Sequence, residues 1–179
     1  MGSDYGRLGA KKRIKAGKSP QPSYSIIDSQ SVKTCYKGEE RGIDGGKKIK
    51  GRKRHLVTDT LGNILKVKVH AANQSATIEG GHLFEEALSK YPSLEGVCAD
   101  GGYRGTTANY VKETLKKAVT ITINKTKEWI ILAKRWIVER TFAWLNNSSR
   151  LAKDVEVTTS SSEAFIQIAH WHQILKFIT

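Results

Sequence analysis

A chain of 179 residues, 39% of them hydrophobic, can bury one sizeable core, and its length favours a single domain over two. The 30 Lys and Arg outnumber the 17 Asp and Glu, and the resulting formal charge of +13 spreads a positive potential over much of the surface. That balance favours a polyanion over an acidic small molecule. Nucleic acid is preferred to a membrane, because no apolar run approaches the roughly 18 to 20 residues of a span and no basic amphipathic helix stands alone. The first residues lack the apolar stretch of a secretory signal, so a cytoplasmic protein is expected. Cys35 and Cys98 lie far apart without the paired spacing of a zinc site and read as reduced bystanders.

Residues 1–23 hold six basic residues (Arg7, Lys11, Lys12, Arg13, Lys15, Lys18) with almost no apolar periodicity, which predicts a flexible basic arm ahead of a domain over 24–179. From Tyr24 the texture turns β-rich: SIIDSQSVKT, RKRHLVTDT and ILKVKVHAAN predict three antiparallel strands, the last two closing a hairpin over 55–70 with Gly62 in the turn. Residues 77–90 have helical spacing, weakened in the first turn by Gly80 and Gly81. EGVCAD reads as a short strand ending at Asp100, and Gly101, Gly102 and Tyr103 force a turn after it. A helix over 106–118, a strand VTITIN and a strongly apolar helix over 134–146 follow. The last helix, 160–178, is expected to open on a Ser160–Glu163 capping box and to pack through Ala164, Ile168, Trp171, Leu175 and Ile178.

A carboxylate inside an apolar segment is costly unless its charge is compensated. Three occur here: Asp28 after Ile26 and Ile27, Asp100 at the end of GVCA, and Glu139 between Val138 and Arg140. Each has a local explanation: a turn or cap before Ser29 for Asp28, an Asx turn into Gly101 and Gly102 for Asp100, and an ion pair with Arg135 or Arg140 for Glu139. Together, two strand aspartates and a helix glutamate are the oxygen ligands that a pair of Mg²⁺ ions requires, and two such ions can activate one oxygen of a phosphodiester while stabilising the other.

Four segments, DSQSVKT (28–34), GGKKIKGRKRH (45–55), ADGGYRG (99–105) and RWIVERTFAWL (135–145), resemble in this order the hallmark blocks of bacterial insertion-sequence transposases of the DDE class. The resemblance runs from about Ser25 to about Glu156 and implies a ribonuclease-H-like α/β fold, with a mixed central sheet that starts on three antiparallel strands and is flanked by helices. The strand and helix order read from the sequence agrees with that fold independently. The resemblance further implies Asp28, Asp100 and Glu139 as catalytic residues and metal ligands, two Mg²⁺ or Mn²⁺ ions as cofactors, and DNA cleavage with strand transfer at insertion-sequence ends. Double-stranded DNA, as transposon ends and target, would be the partner of a homo-oligomer working at the nucleoid. Relatives carry a helical end-recognition region before the core, so a separately encoded N-terminal part is a further expected partner. A purely hydrolytic nuclease of the same fold and an inactive DNA-binding remnant are the alternatives.

The block over 47–54 has six Lys or Arg. A charge run is commonly a solvated face; its place before a core strand points instead to DNA-backbone contact through Lys47, Lys48, Arg52, Lys53 and Arg54. Arg104, Arg135 and Arg140 read either as phosphate contacts that also orient the carboxylates or as structural ion-pair partners. His55 and His70 are expected as satisfied core histidines, and His170 and His172 receive no role.

Overall fold

The computed structural model describes residues 2–122 and 135–179. A mixed sheet forms its centre, from β1 (Tyr24–Lys33), β2 (Gly42–Asp44), β3 (Ile49–Asp59), β4 (Ile64–Ala71), β5 (Gly96–Asp100) and β6 (Ala118–Thr122). β3 pairs antiparallel with β1 on one side and with β2 and β4 on the other. β5 joins the free edge of β1 in parallel, and β6 continues the sheet in parallel beyond it. The β3–β4 hairpin turns at Gly62, whose φ of 80° lies where glycine carries no side-chain penalty.

Successive residues of a strand point to opposite faces, so each core strand supplies two cores. Ile26, Leu56, Val67, Val69 and Cys98 face one layer, with α4 (Arg135–Asn146) and α6 (Thr159–Ile178) packed over them. Ile27, Val57, Val97 and Ala99 face the other, covered by α2 (Ala76–Lys90). α3 (Thr106–Asn109) continues into a π-helical turn, Tyr110–Thr114, so the helix expected over 106–118 ends early, before Lys116 takes a positive φ of 53°. A short α5 (Ser149–Ala152) links α4 to α6. Ile123 and Asn124 of the expected last strand and Lys134 of the expected helix lie outside the described residues.

Three expectations need correcting. Residues Gly2–Lys15 form a helix, α1, rather than a flexible arm. Its cations have distant partners that local periodicity does not reveal: the Arg13 guanidinium reaches Asp59 at 2.8 Å, and Lys12 lies over the Trp144 and Phe177 rings. α6 starts on Thr158, whose hydroxyl accepts from Ser161 N, while Glu163 leaves the helix to accept from Val69 N at 2.8 Å on β4. The buried row of α6 is Ser162, Ile166, His170 and Ile174, so Ile168 and Leu175 of the expected stripe stay half-exposed. His170 holds its place there because its Nε2 accepts from Ile64 N, which satisfies a strand N–H that the sheet leaves over.

The glycine pair in α2, a flaw by helix propensity, has a packing cause. A Cβ on Gly80 would sit 2.6 Å from the Tyr103 ring and one on Gly81 would sit 2.9 Å from the Tyr110 ring. Both rings approach the α2 backbone directly.

Candidate active site

Strand register assembles the first two carboxylates. In the parallel β1–β5 pair Ile26 lies beside Cys98, and two residues further on, on the same face, come Asp28 and Asp100. Adjacent strands are about 4.8 Å apart, so these two side chains are neighbours. The face they share is the one that α4 covers, and α4 carries Glu139. The two aspartates therefore sit side by side on the face that α4 covers, and Glu139 stands on that helix.

Each acid also makes the local contact that the sequence allowed. Asp28 Oδ1 accepts from Ser29 N at 2.7 Å, and Asp100 Oδ1 accepts from Gly102 N at 2.9 Å as the cap of the following 3₁₀ turn. Arg135 Nε lies 3.1 Å from Glu139 Oε1, and its Nη2 lies 3.8 Å from Asp100 Oδ2. Arg135 thus stands between the second and third carboxylates as their shared counter-charge. A carboxylate has about four lone-pair sites, so one local bond leaves Asp28 and Asp100 with accepting capacity. Burial pushes the Asp28 carboxyl up to about 6; the Ser29 N–H opposes this, Asp100 adds to it, and Arg135 and Lys47 oppose it more weakly.

Among the described residues, no three His, Cys, Asp or Glu side chains stand close enough together to hold a metal ion. The donor chemistry nevertheless fits a hard divalent cation, since all three groups offer oxygen and Asp28 is a desolvated acid short of partners. Glu139 is turned to Arg135 and would have to leave it to complete the set.

The basic residues separate into two groups. Lys47 and Lys48 are exposed on the β2–β3 turn, and Lys47 Nζ reaches Ser29 O at 3.5 Å, beside Asp28. Arg104 is exposed just beyond Asp100. Arg52 and Arg54, expected on DNA, are instead buried in the sheet. Arg52 pairs with Asp154 at 3.2 Å and donates to the carbonyls of Glu39, Glu156 and Val157; Arg54 donates to Leu151 O at 2.7 Å. Their alternation along β3 points them to the face where α5 and the segment after it close over the sheet, so they hold that segment in place. Lys53, on the opposite face, donates to Gln74 O and lies 3.7 Å from Asp44. Arg140 turns away from the carboxylates to Leu61 O at 3.4 Å and stacks between Trp136 and Trp144.

Tyr103 is a site residue that sequence reasoning missed. Its buried ring packs on Gly80, and its hydroxyl contacts Ser29 and lies 3.5 Å from His55 Nδ1, directly behind the strand that carries Asp28. The helix-breaking Gly80 was the available signal. His55 and His70 are core residues as expected, with ring centroids 4.8 Å apart, but they are only half satisfied: the Nε2 atom of each is buried without a hydrogen-bond partner among the described residues.

A model of the transposase DDE domain matches residues 19–170, most of the chain. The chain belongs to the transposase DDE domain family. This member has the family's ribonuclease-H-like sheet, and it is a transposase catalytic core, an enzyme of DNA recombination. Among solved structures, a chain of the simian T-cell lymphotropic virus intasome in complex with PP2A regulatory subunit B56 gamma is similar in fold, with a TM-score of 0.51 and 13% identity over 84% of this chain. This chain spans about half of that one, 48% of its length. The catalytic core domain of BIV integrase aligns at 13% identity and a TM-score of 0.48, over 83% of this chain and 80% of that one. In the Mos1 mariner paired end complex with Mn the values are 12% and 0.47, over 96% of this chain and 59% of that one. Likeness at such identity is likeness of fold. No curated protein matches the chain in sequence. No helix among the described residues is long and apolar enough to cross a membrane.

Proposed function

We propose that this transposase core cuts DNA at the ends of a mobile element and joins them to a target, with Asp28, Asp100 and Glu139 as ligands of two Mg²⁺ or Mn²⁺ ions. The observation that carries the reading is the parallel register that sets Asp28 beside Asp100 on the face covered by α4, with Glu139 on that helix. Bound there, the ions would supply Lewis-acid stabilisation of the phosphodiester oxygens. The chain's own residues do the rest. Arg135 neutralises Asp100 and Glu139 while the site waits, and its guanidinium is then free to face a phosphate as Glu139 turns to the aspartates. Lys47, Lys48 and Arg104 ring the opening and place the DNA backbone without reading sequence. Tyr103, anchored on Gly80, keeps Ser29 and so the middle of β1, where Asp28 stands, at a fixed height.

Residues 24–179 serve as the catalytic domain, and α1 is packed on it. A homo-oligomer pairs two DNA ends, and a separately encoded N-terminal part supplies end recognition. The protein works in the cytoplasm, at the nucleoid. The test is nicking of supercoiled plasmid in Mg²⁺ and in Mn²⁺, with Asp100→Asn alongside. Activity that disappears in the variant, by about a thousandfold or more, places Asp100 at the reacting phosphate. Folded, DNA-binding protein without activity in either form would mark an inactive remnant. Pre-cleaved ends added to the same reaction separate strand transfer from hydrolysis, and products of hydrolysis alone would reduce the reading to a nuclease.

A further inference from the structure

Over residues 41–54 the chain carries seven Lys or Arg and a single acid, Asp44. An acid in such a stretch works against the approach of a polyanion, so its place there calls for a cause. β2 ends at Asp44 and β3 begins opposite it at Ile49, which leaves residues 45–48 as a four-residue turn. Asp44 Oδ1 accepts from Gly46 N and from Lys47 N, each at 3.1 Å. Its Oδ2 accepts from the Ser31 hydroxyl at 2.6 Å and lies 3.7 Å from Lys53 Nζ. Ser31 belongs to β1, three residues past Asp28, and is opposite Lys53 on β3, four residues beyond Ile49. The bond between Ser31 and Asp44 therefore closes only because the end of the hairpin folds back over the sheet, and the same fold brings Lys47 Nζ to 3.5 Å from Ser29 O.

Lys48 closes the turn with a φ of 54°, in the left-handed region that a side chain disfavours and glycine does not. Gly45 and Gly46 stand just before it, yet the strained position belongs to a lysine. Lys47 and Lys48 are both exposed, and neither ammonium is held in an ion pair among the described residues, whereas Lys53 is turned to Asp44. A backbone that tolerates strain to seat a cation, braced by an acid that lowers the local charge, is arranged around where the two lysines stand.

We propose that Asp44 is a positioning residue for DNA: it holds the hairpin end against β1, so that Lys47 and Lys48 meet backbone phosphates from fixed places near Asp28. It acts through the turn and touches no part of the strand. Charge and bracing pull in opposite directions. By charge alone, losing Asp44 strengthens DNA binding; by bracing, losing it frees two long side chains that must then be ordered on each encounter. The inference rests on DNA being the substrate and is separate from the metal chemistry.

The experiment is fluorescence anisotropy of the full chain with a labelled blunt duplex, in metal-free buffer at several salt concentrations. Asp44→Ala is expected to bind about three- to tenfold more weakly than the parent, with a salt dependence shallower by about one phosphate contact. Asp44→Asn keeps an oxygen for Gly46 N and Lys47 N, and its amide can donate to the Ser31 hydroxyl. It should bind at least as tightly as the parent, since the opposing charge is gone. Lys48→Gly removes the strain together with the cation, so its melting temperature should not fall while its affinity drops about threefold. Circular dichroism and melting curves set a temperature at which every variant is folded. Asp44→Ala that binds as tightly as the parent or tighter overturns the inference, as does Asp44→Asn that binds as weakly as Asp44→Ala; the proposed function survives both. Lys48→Gly with parental affinity removes the contact on which the positioning acts and overturns it too. A parent that binds no DNA would sink both readings.

Discussion

Asp59 and Asp28 stand on neighbouring strands of one sheet and are treated in opposite ways. Asp59 is fully buried and completely engaged: Arg13 at 2.8 Å, the backbone N–H groups of Leu61 and Asn63, and the Asn63 side-chain amide all converge on it. Asp154, across the sheet, resembles it, holding Arg52, Ser162 and Glu156 N. Asp28 has one bond, to Ser29 N, and burial pushes its proton affinity up. An acid whose lone pairs are taken by the protein holds the fold together. One left short of partners beside a second acid is open to something that arrives from outside.

The largest effect that sharpens this comparison is expected from Asp154→Ala. It leaves the Arg52 guanidinium buried with carbonyl partners only, and losing one member of a buried pair costs about 3–5 kcal/mol. Urea unfolding measures it; a loss below about 1 kcal/mol would erase the distinction between engaged and waiting acids. Next comes acid sensitivity. Burial holds His170 down to about 3 and His55 likewise to about 3, from an ordinary 6.5. Below 6.5 the unfolded chain takes up protons that the folded one refuses, so stability is full above that value and falls as pH drops towards 3. His170→Gln keeps an acceptor for Ile64 N and removes one such base, so its acid unfolding midpoint should move to lower pH, with about 2–3 kcal/mol gained near pH 4. An unmoved midpoint would mean that His170 does not govern acid unfolding.

Five of the described strands were legible from their apolar runs and the hairpin from Gly62, whereas the three-residue β2 (Gly42–Asp44) is too short and too polar to stand out. Asp28, Asp100 and Glu139 stood out because charge inside apolar runs is rare enough to need a reason. Charge itself was the poor guide. In the block 47–54 the sequence shows six like cations, yet Lys47 and Lys48 face water while Arg52 and Arg54 are core residues with partners about a hundred positions away. Long-range pairing of that kind leaves no local periodicity, and the same blindness turned α1 into an arm and put the wrong stripe of α6 inside. Tyr103 was hidden for a related reason: its meaning lies in a glycine more than twenty residues earlier.

Gly80→Ala tests the support of the waiting acid rather than the acid. The added methyl meets the Tyr103 ring, and moving a buried ring in a packed core costs about 1–3 kcal/mol. Because Tyr103 touches Ser29, plasmid nicking at a temperature where the variant is fully folded should fall as well. Gly80→Ala with full nicking activity would show that Tyr103 is packing alone.

The smallest effect is the most discriminating. Replacing a satisfied acid weakens a protein, whereas replacing an acid held in strain should strengthen it. The folded Asp28 carboxyl titrates near 6 and the unfolded one near 3.8, so the folded chain holds the extra proton between those values and stability falls as pH rises through them. Above 6 the ionised acid costs the folded state about 1–2 kcal/mol, less than the full gap between those values would give, because water still reaches part of the residue. Asp28→Asn removes that cost, so in metal-free buffer at pH 7.5 its melting temperature should rise by a few degrees above the parent's, with the gap closing by pH 4. The same variant should lose plasmid nicking. Gain of stability together with loss of activity is the pattern of a residue selected for chemistry at the expense of the fold, and Asp59→Asn should show the reverse on the stability side. A variant of Asp28 that melts below the parent would mean that the carboxylate is a structural acid like Asp59, and the case for a metal ligand at β1 would fall with it.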